Sequence, residues 1–279
     1  MLGGKQVEAF FILGDFGIVQ SDFGGQVVMI TGAAQGLGLS MAEAFLAQGA
    51  AVVGTDVNPA ALGEASRGHS GLETHRMDVT REGEIRRVVR AVEKRHGKID
   101  VLVNNAGVNT LRHRVNVDRF PVHEWDRLIE VNLKGAFLVG QAVLPGMLRR
   151  KQGRIIQIGS VLGSIPARLQ CAFNSAKAGL AQLTRSMAIE LAPSGILVNC
   201  VSPGSIMTKG TKKLFYGSGA KQAGFSRRLL AHIPMGRPGR PDEVSGAVLF
   251  FASAASGYIT GQVLCVDGGW TAGGFFRDF

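Results

Sequence analysis

Three glycines stand where a phosphate group could be held. Thr31-Gly-Ala-Ala-Gln-Gly-Leu-Gly38 follows the apolar run Val27–Ile30 and precedes a helical pattern. In a strand–turn–helix setting, Gly32 permits the tight turn, Gly36 lets backbone approach a pyrophosphate, and Gly38 lets the helix pack on the strand. The helix start then offers unpaired N–H groups to the phosphates. A lone glycine triplet would signal only a turn; the flanking strand and helix make this one specific. Asp56 closes the second apolar run, 18 residues after Gly38. An acidic side chain there accepts both ribose hydroxyls of NAD and repels a 2′-phosphate. Its other possible role is to cap a helix starting at Asn58-Pro59.

The elements that must carry these residues alternate. Val27–Ile30, Ala51–Thr55, Leu72–Met77, Val101–Val103, Arg154–Ile158, Leu197–Val201 and Gln262–Val266 read as strands. Most are unbroken Val/Ile/Leu runs, as expected of parallel strands buried on both faces. Helical patterns begin near Gly38 and run from Thr80 to His96, Val122 to Arg150, about Gln170 to Leu191, and Asp242 to Ser253. The expected fold is α/β: a single-domain, doubly wound parallel sheet of the Rossmann type spanning residues 23–279. Residues 1–22 read as an N-terminal extension, disordered or packed on a neighbouring subunit. Residues 209–235 interrupt the rhythm at the sheet edge where ligands bind, and are expected to form a helical lid over the site.

Composition narrows the function classes. The chain has 279 residues, 46 % of them apolar and 19 % charged, which suits a compact globular protein. Cys171, Cys200 and Cys265 lie far apart with no metal-ligand spacing, so no metal and a reduced, cytoplasmic setting are expected. No apolar run reaches the roughly 18 residues that cross a bilayer. The net charge of +10 is concentrated: Lys209, Lys212, Lys213, Lys221, Arg227, Arg228, Arg237 and Arg240 fall in Ser202–Arg240, 39 positions without Asp or Glu. A local basic segment suits an anionic small molecule or a solvated loop better than nucleic acid.

The spacing TGxxxGxG is that of the short-chain dehydrogenase/reductase family, and the chain resembles that family over about residues 24–272. Met77-Asp-Val79, Asn104-Asn-Ala-Gly107, Val131-Asn-Leu-Lys-Gly135, Ile158-Gly-Ser160, Ser202-Pro-Gly-Ser-Ile-Met-Thr208 and Val266-Asp-Gly-Gly269 are similar to its motifs, in its order. The resemblance implies that Gln35 and Leu37 join the three glycines and Asp56 at the cofactor. It implies that Asp78 and Val79 contact adenine, that Asn105, Ala106 and Gly107 line the cofactor, and that Pro203, Gly204, Ile206 and Thr208 hold the nicotinamide amide. Asn132, Ser160 and Lys177 take the places of the active-site asparagine, the substrate-positioning serine and the lysine that also bonds the nicotinamide ribose. Within the family the chain most resembles sugar and sugar-acid dehydrogenases of the glucose-dehydrogenase type. Homotetramers with twofold axes are expected, with Leu249–Ala252 and Val263–Val266 at the contacts.

One position departs from the family pattern YxxxK. The residue 13 places after Ser160 is Phe173, in Cys171-Ala-Phe-Asn-Ser-Ala-Lys177. Phenylalanine has the shape of tyrosine but no proton to give. Three explanations compete: a deliberately inactivated form, a natural branch with another donor, or a binding protein that has lost catalysis. Substitute donors are Ser160 and Lys177, Tyr216 in the lid, and His113 and His232 near the expected mouth. The expected activity is NAD-dependent interconversion of a hydroxyl and a carbonyl on a small, polar, anionic substrate. The alternative is an inactive dinucleotide-binding protein. Arg112, Arg114, Arg168, Lys209, Lys212 and Tyr216 are the expected substrate contacts. No nucleic-acid or membrane partner is expected.

Overall fold

The computed structural model describes residues 22–110, 113–215 and 220–273, apart from the side chains of 213–223 and 225. The 1–22 extension, save Asp22, therefore lies outside the described residues, as do Arg112 and Tyr216. Seven strands form one parallel sheet in the order β3-β2-β1-β4-β5-β6-β7. They are β1 (Val27–Thr31), β2 (Ala51–Asp56), β3 (Leu72–Arg76), β4 (Val101–Asn104), β5 (Gly153–Ile158), β6 (Ile196–Pro203) and β7 (Val263–Val266). All seven stand where the apolar runs put them, with ends shifted by one or two residues.

The unbroken apolar strands serve two layers at once. In β1, Val28 and Ile30 join one core with Met41, Phe45 and Val248. Val27 and Met29 join the other with Val88, Val139 and Met147. Successive strand side chains point to opposite faces, so a sheet covered on both sides needs apolar residues at every position. The first layer holds α1 (Gly36–Ala47) and α9 (Pro241–Ala252), and the second α3 (Glu82–His96), α5 (Gly135–Arg150) and α6 (Cys171–Leu191). The strand order reverses beside β1, which pairs with β2 on one side and β4 on the other. That reversal opens a crevice at the carboxyl ends of the strands.

Three elements refine the sequence-based expectation. Helix α2 (Pro59–Gly68) does start at Asn58-Pro59, but its cap is Asn58, which accepts from the N–H groups of Ala60 and Ala61, and not Asp56. The lid segment contains two helices, α7 (Lys209–Phe215) and α8 (Ala220–Ala231). The pattern Val122–Arg150 is not one α-helix: α4 (Val122–Ile129) and α5 are joined by a π-helical turn at Glu130–Lys134. This 29-residue run is, among the described residues, the one helical stretch long and apolar enough to cross a membrane, with a mean hydropathy of 1.2 over its most apolar 18 residues. Half of that apolar stretch is buried within the protein, as a core helix requires.

Two residues of the basic segment, beyond the lid, are structural. Arg237 makes a two-pronged contact with Glu243, at 2.9 and 2.7 Å, and Arg240 pairs with Asp242 at 3.0 Å. The 39-residue stretch lacks acids, but its neighbours at the start of α9 supply them. Glu243 also accepts from the Arg240 N–H at 2.7 Å, capping the helix. These bonds to Arg237 and Arg240 hold the Glu243 carboxyl down to about 2. Glu243→Gln should cost about 1 kcal/mol at neutral pH, a Tm loss of about 2–4 °C. A carboxyl lowered in the folded state stabilises above its unfolded value, and that contribution is lost as pH falls through the folded value. The gap between the two proteins in thermal melts should therefore close from pH 5 toward pH 2.

Candidate functional site

The crevice is a cavity of about 1390 Å³, and its first wall is the glycine turn. Gly32 and Gly36 have φ of +66° and +59°, left-handed values that other residues seldom adopt. A Cβ on Gly38 would lie 2.1 Å from the Gly32 carbonyl oxygen and 2.6 Å from Asn105 Nδ2, so turn and helix can meet only at a glycine. A Cβ on Gly36 would meet nothing nearer than Thr208 Cγ2 at 3.9 Å. Backbone is thus open to the cavity at Gly36 and closed against protein at Gly38. The first turn of α1 carries no acidic residue, and Gln35 gives it no side-chain cap. Its N–H groups and partial positive charge face the cavity uncompensated by any side chain.

The turn is bolted to β4. Thr31 Oγ1 accepts from the N–H groups of Asn105 and Ala106, both at 3.0 Å. Asn105 Nδ2 donates to the carbonyls of Thr31 and Gly32 at 2.9 and 3.0 Å. Asp56, at the end of β2, accepts from Asn58 N at 3.0 Å and Ala34 N at 3.4 Å. The cap of α2 is Asn58, so the capping role weighed for Asp56 falls to its neighbour, and Asp56 lines the cavity. Asp78 also lines it, while its Oδ1 accepts from the N–H and hydroxyl of Thr80. Gly204 follows β6 against Asp267, where a Cβ would lie 2.8 Å from the Asp267 Cα and has no room. Asp267 accepts from Gly269 and Thr271, a turn that brings Trp270 into the wall. Every residue assigned to the dinucleotide, from Gly32 to Thr208, borders this one cavity.

Asn132, Ser160, Phe173 and Lys177 all line the same cavity. Asn132 sits in the π-helical turn because its side chain takes over backbone bonding: Nδ2 donates to Leu128 O at 3.0 Å and Val108 O at 2.9 Å. Ser160 Oγ accepts from Leu162 N at 3.2 Å. Phe173 is 9 % exposed and packs with Leu128 and Ala172. One turn along α6, Lys177 places its Nζ 5.9 Å from the centre of the Phe173 ring and donates to Ile158 O at 2.8 Å. Burial pushes the Lys177 ammonium down to about 8, against a smaller opposing pull from Cys200. The cavity thus has, beside Phe173, an amine that exchanges its proton near neutral pH.

The mouth is only partly as expected. Arg114, Arg168 and Lys209 line it. Burial lowers the Arg114 pKa, and its Nε donates to Thr110 O at 3.2 Å. Arg168 reaches Asn116 Oδ1 at 3.4 Å. Lys212 is exposed on α7 and outside the cavity wall, a correction to its assignment. His113 and His232 are also outside the wall: His113 faces His123 and Glu124, and His232 is exposed after α8. Sequence reasoning missed Arg127, Trp270 and Gln170, all of which line the cavity. For Gln170 a signal existed, since it lies one helical turn before Phe173.

These walls fit a dinucleotide. The open backbone at Gly36 and the uncapped start of α1 suit a pyrophosphate, and Asp56 suits ribose hydroxyls. A family model described as enoyl-(acyl carrier protein) reductase matches residues 32–271. The 3-oxoacyl-[acyl-carrier-protein] reductase FabG of Thermotoga maritima is 40 % identical over 249 residues, 88 % of this chain and 97 % of that protein. The solved structure of gox2181 is 36 % identical, with a TM-score of 0.84 over 91 % of this chain and 98 % of that one. The ligand-free aldohexose dehydrogenase of Thermoplasma acidophilum is 31 % identical, with a TM-score of 0.83 over 92 % of this chain and 98 % of that one.

The buried Lys177 has a measurable signature. Below pH 8 the folded protein holds a desolvated ammonium. Between about pH 8 and 10.4 the unfolded chain binds that proton and the folded one does not, so stability rises with pH. Lys177→Met removes the charge at similar length. It should be more stable than the parent at pH 7, by on the order of 1–3 kcal/mol, and lose that advantage by pH 10. Urea unfolding at the two pH values measures this; an advantage that does not change with pH would mean that the ammonium is not desolvated.

Proposed function

The chain belongs to the short-chain dehydrogenase/reductase family of oxidoreductases, and on that premise we propose that it uses NAD to interconvert a hydroxyl and a carbonyl on a small, polar, anionic substrate of the sugar-acid kind. The observation that carries the reading is the single cavity in which the glycine turn and Asp56 share walls with Asn132, Ser160 and Lys177. The glycine turn and the start of α1 would hold the pyrophosphate, Asp56 the adenosine ribose, and Lys177 the nicotinamide ribose. The bound nicotinamide supplies or accepts the hydride. Ser160 orients the substrate oxygen by hydrogen bonding. Arg114 and Arg168 in the wall favour a carboxylate on the substrate, since a guanidinium matches that group with two parallel bonds.

The proton is the difficult step. An alkoxide formed by hydride transfer needs a proton within reach, and Phe173 has none. In the active reading, Lys177 or Ser160 delivers it through water, and the pKa of about 8 at Lys177 suits exchange near neutral pH. The second reading rests on the same residue: with Phe173 at the family's tyrosine position, the protein binds dinucleotide and substrate without turning them over.

Two measurements separate these readings. Asp56→Ala should weaken NADH binding about tenfold, as loss of charge-assisted bonds does, and relax discrimination against NADPH. Tighter binding of NADPH than NADH by the unaltered chain would overturn the NAD assignment. Phe173→Tyr should raise kcat by about 10²–10⁴-fold if the chain is an inactivated form. In a natural branch built around another donor it should change little. Equal inactivity of both forms, on sugar acids that bind measurably, would establish the binding-protein reading.

A further inference from the structure

A second cavity, of about 630 Å³, lies at the end of the sheet opposite the dinucleotide crevice. Gln26, just before β1, and Asp100, just before β4, border it, as do Gln152 and Arg154 at the start of β5. Tyr258 and Thr260, in the turn before β7, also line it. These residues stand at the amino ends of the strands. Arg154 precedes Ser160 by six residues, about 20 Å along an extended strand. Among the described residues, none is shared between the walls of the two cavities.

Arg154 is out of pattern. Ile156 and Ile158, on the same face of β5, are buried in the core beneath α9, and an apolar residue at 154 would extend that core. Part of the arginine is structural: Nη1 donates to Phe251 O at 3.5 Å and to Ser256 Oγ at 3.1 Å, at the end of α9. Among the described residues, its Nε and Nη2 have no such partner. Asp100, the acid of this wall, is engaged elsewhere, with Lys98 at 3.0 Å and Val27 N at 2.9 Å. Carboxylates raise the pKa of Arg127, Arg237 and Arg240; burial lowers that of Arg154, and no carboxylate opposes it. A half-buried guanidinium without a counter-charge is unfavourable, and its fork of donors matches an oxyanion. Arg154 is also partly exposed, so a solute can reach it.

We propose that this cavity is a second binding site, which takes a small organic oxyanion, a carboxylate or a phosphate monoester, on the Arg154 guanidinium. The volume lies in the range of about 300–1,000 Å³ usual for small-molecule pockets, so the ligand carries a body of several atoms besides its charged head. The carboxamides of Gln26 and Gln152 offer that body both donors and acceptors. The fully exposed ring of Tyr258 offers it an apolar face. The site shares no residue with the dinucleotide cavity, so the proposal stands apart from the oxidoreductase reading.

Binding tests this without turnover. The full-length protein, in excess NADH, is titrated calorimetrically with phenyl phosphate, phenylacetate and the neutral benzyl alcohol. At least one anion should bind about tenfold or more tightly than the alcohol, and the tighter of the two identifies the head group. Arg154→Met should weaken that anion about tenfold or more, as loss of charge-assisted bonds does, with the NADH Kd unchanged. Arg154 also holds the end of α9, so a second variant guards against misfolding. Gln152 is exposed, so Gln152→Glu should keep the parent's Tm while its carboxylate answers the guanidinium in place of the ligand. It should weaken the anion about fivefold or more and leave the alcohol unaffected. If Arg154→Met does not fold, Gln152→Glu decides alone. No preference for an anion in the unaltered chain overturns the proposal. So does anion binding that ignores both substitutions and falls instead in Arg168→Gln, which places the anion at the mouth of the other cavity.

Discussion

Thr31 and Asn105 tie the carboxyl ends of β1 and β4 together, and the site depends on that tie. One hydroxyl accepts from two successive N–H groups, and one side-chain amide donates to two successive carbonyls. These groups lie where neighbouring strands diverge and can no longer satisfy each other's backbones. Without the tie, the β1–α1 turn and the segment after β4 would each carry polar groups unpaired in a partly buried place. With it, Gly32, Gly38 and Asn105 converge so closely that no side chain fits at Gly38. The start of α1 is thereby aimed across the crevice.

The chemistry is built from the opposite wall by a second exchange of backbone for side-chain bonds. Asn132 relaxes one helical turn into a π-turn and spends its amide on Leu128 and Val108. This brings the segment after Gly107 against the helix that precedes α5. Lys177 is then enclosed, its ammonium held by the Ile158 carbonyl and its pKa lowered by burial. Phe173 belongs to a small apolar cluster with Leu128 and Ala172. Its ring therefore keeps the packing of the site intact whether or not the site turns over substrate. A phenolic oxygen is small beside that apolar contact, which is why the surrounding polar residues hold their places around a phenylalanine.

Charge in this protein is less of a single field than composition suggests. The basic segment ends at α9, where Asp242 and Glu243 neutralise Arg240 and Arg237. The cations that border the cavity come from separate places: Arg114 and Arg168 from loops after β4 and β5, Lys209 from the start of α7. Of these, Arg168 and Lys209 are exposed, and only the Arg114 guanidinium is partly desolvated.

The residues alone determined the strands, because a parallel sheet covered on both faces demands apolar side chains at every position. They also determined the phosphate turn, because left-handed backbone and close approach each require glycine at a set spacing. The likeness of motifs to one family placed Asn132, Ser160, Phe173 and Lys177 in one site before any coordinates. Tertiary structure decided the rest. It broke the Val122–Arg150 helix at Asn132, since periodicity does not register a side chain that bonds to a loop 24 residues away. It gave the helix cap to Asn58 and left Asp56 to the cavity, paired Arg237 and Arg240 with Glu243 and Asp242, left Lys212 outside the cavity wall, and brought in Gln170. Each of those outcomes turns on which way a side chain points after the loops close. Spacing along the chain carries no record of that, because it is set by contacts between segments remote in sequence.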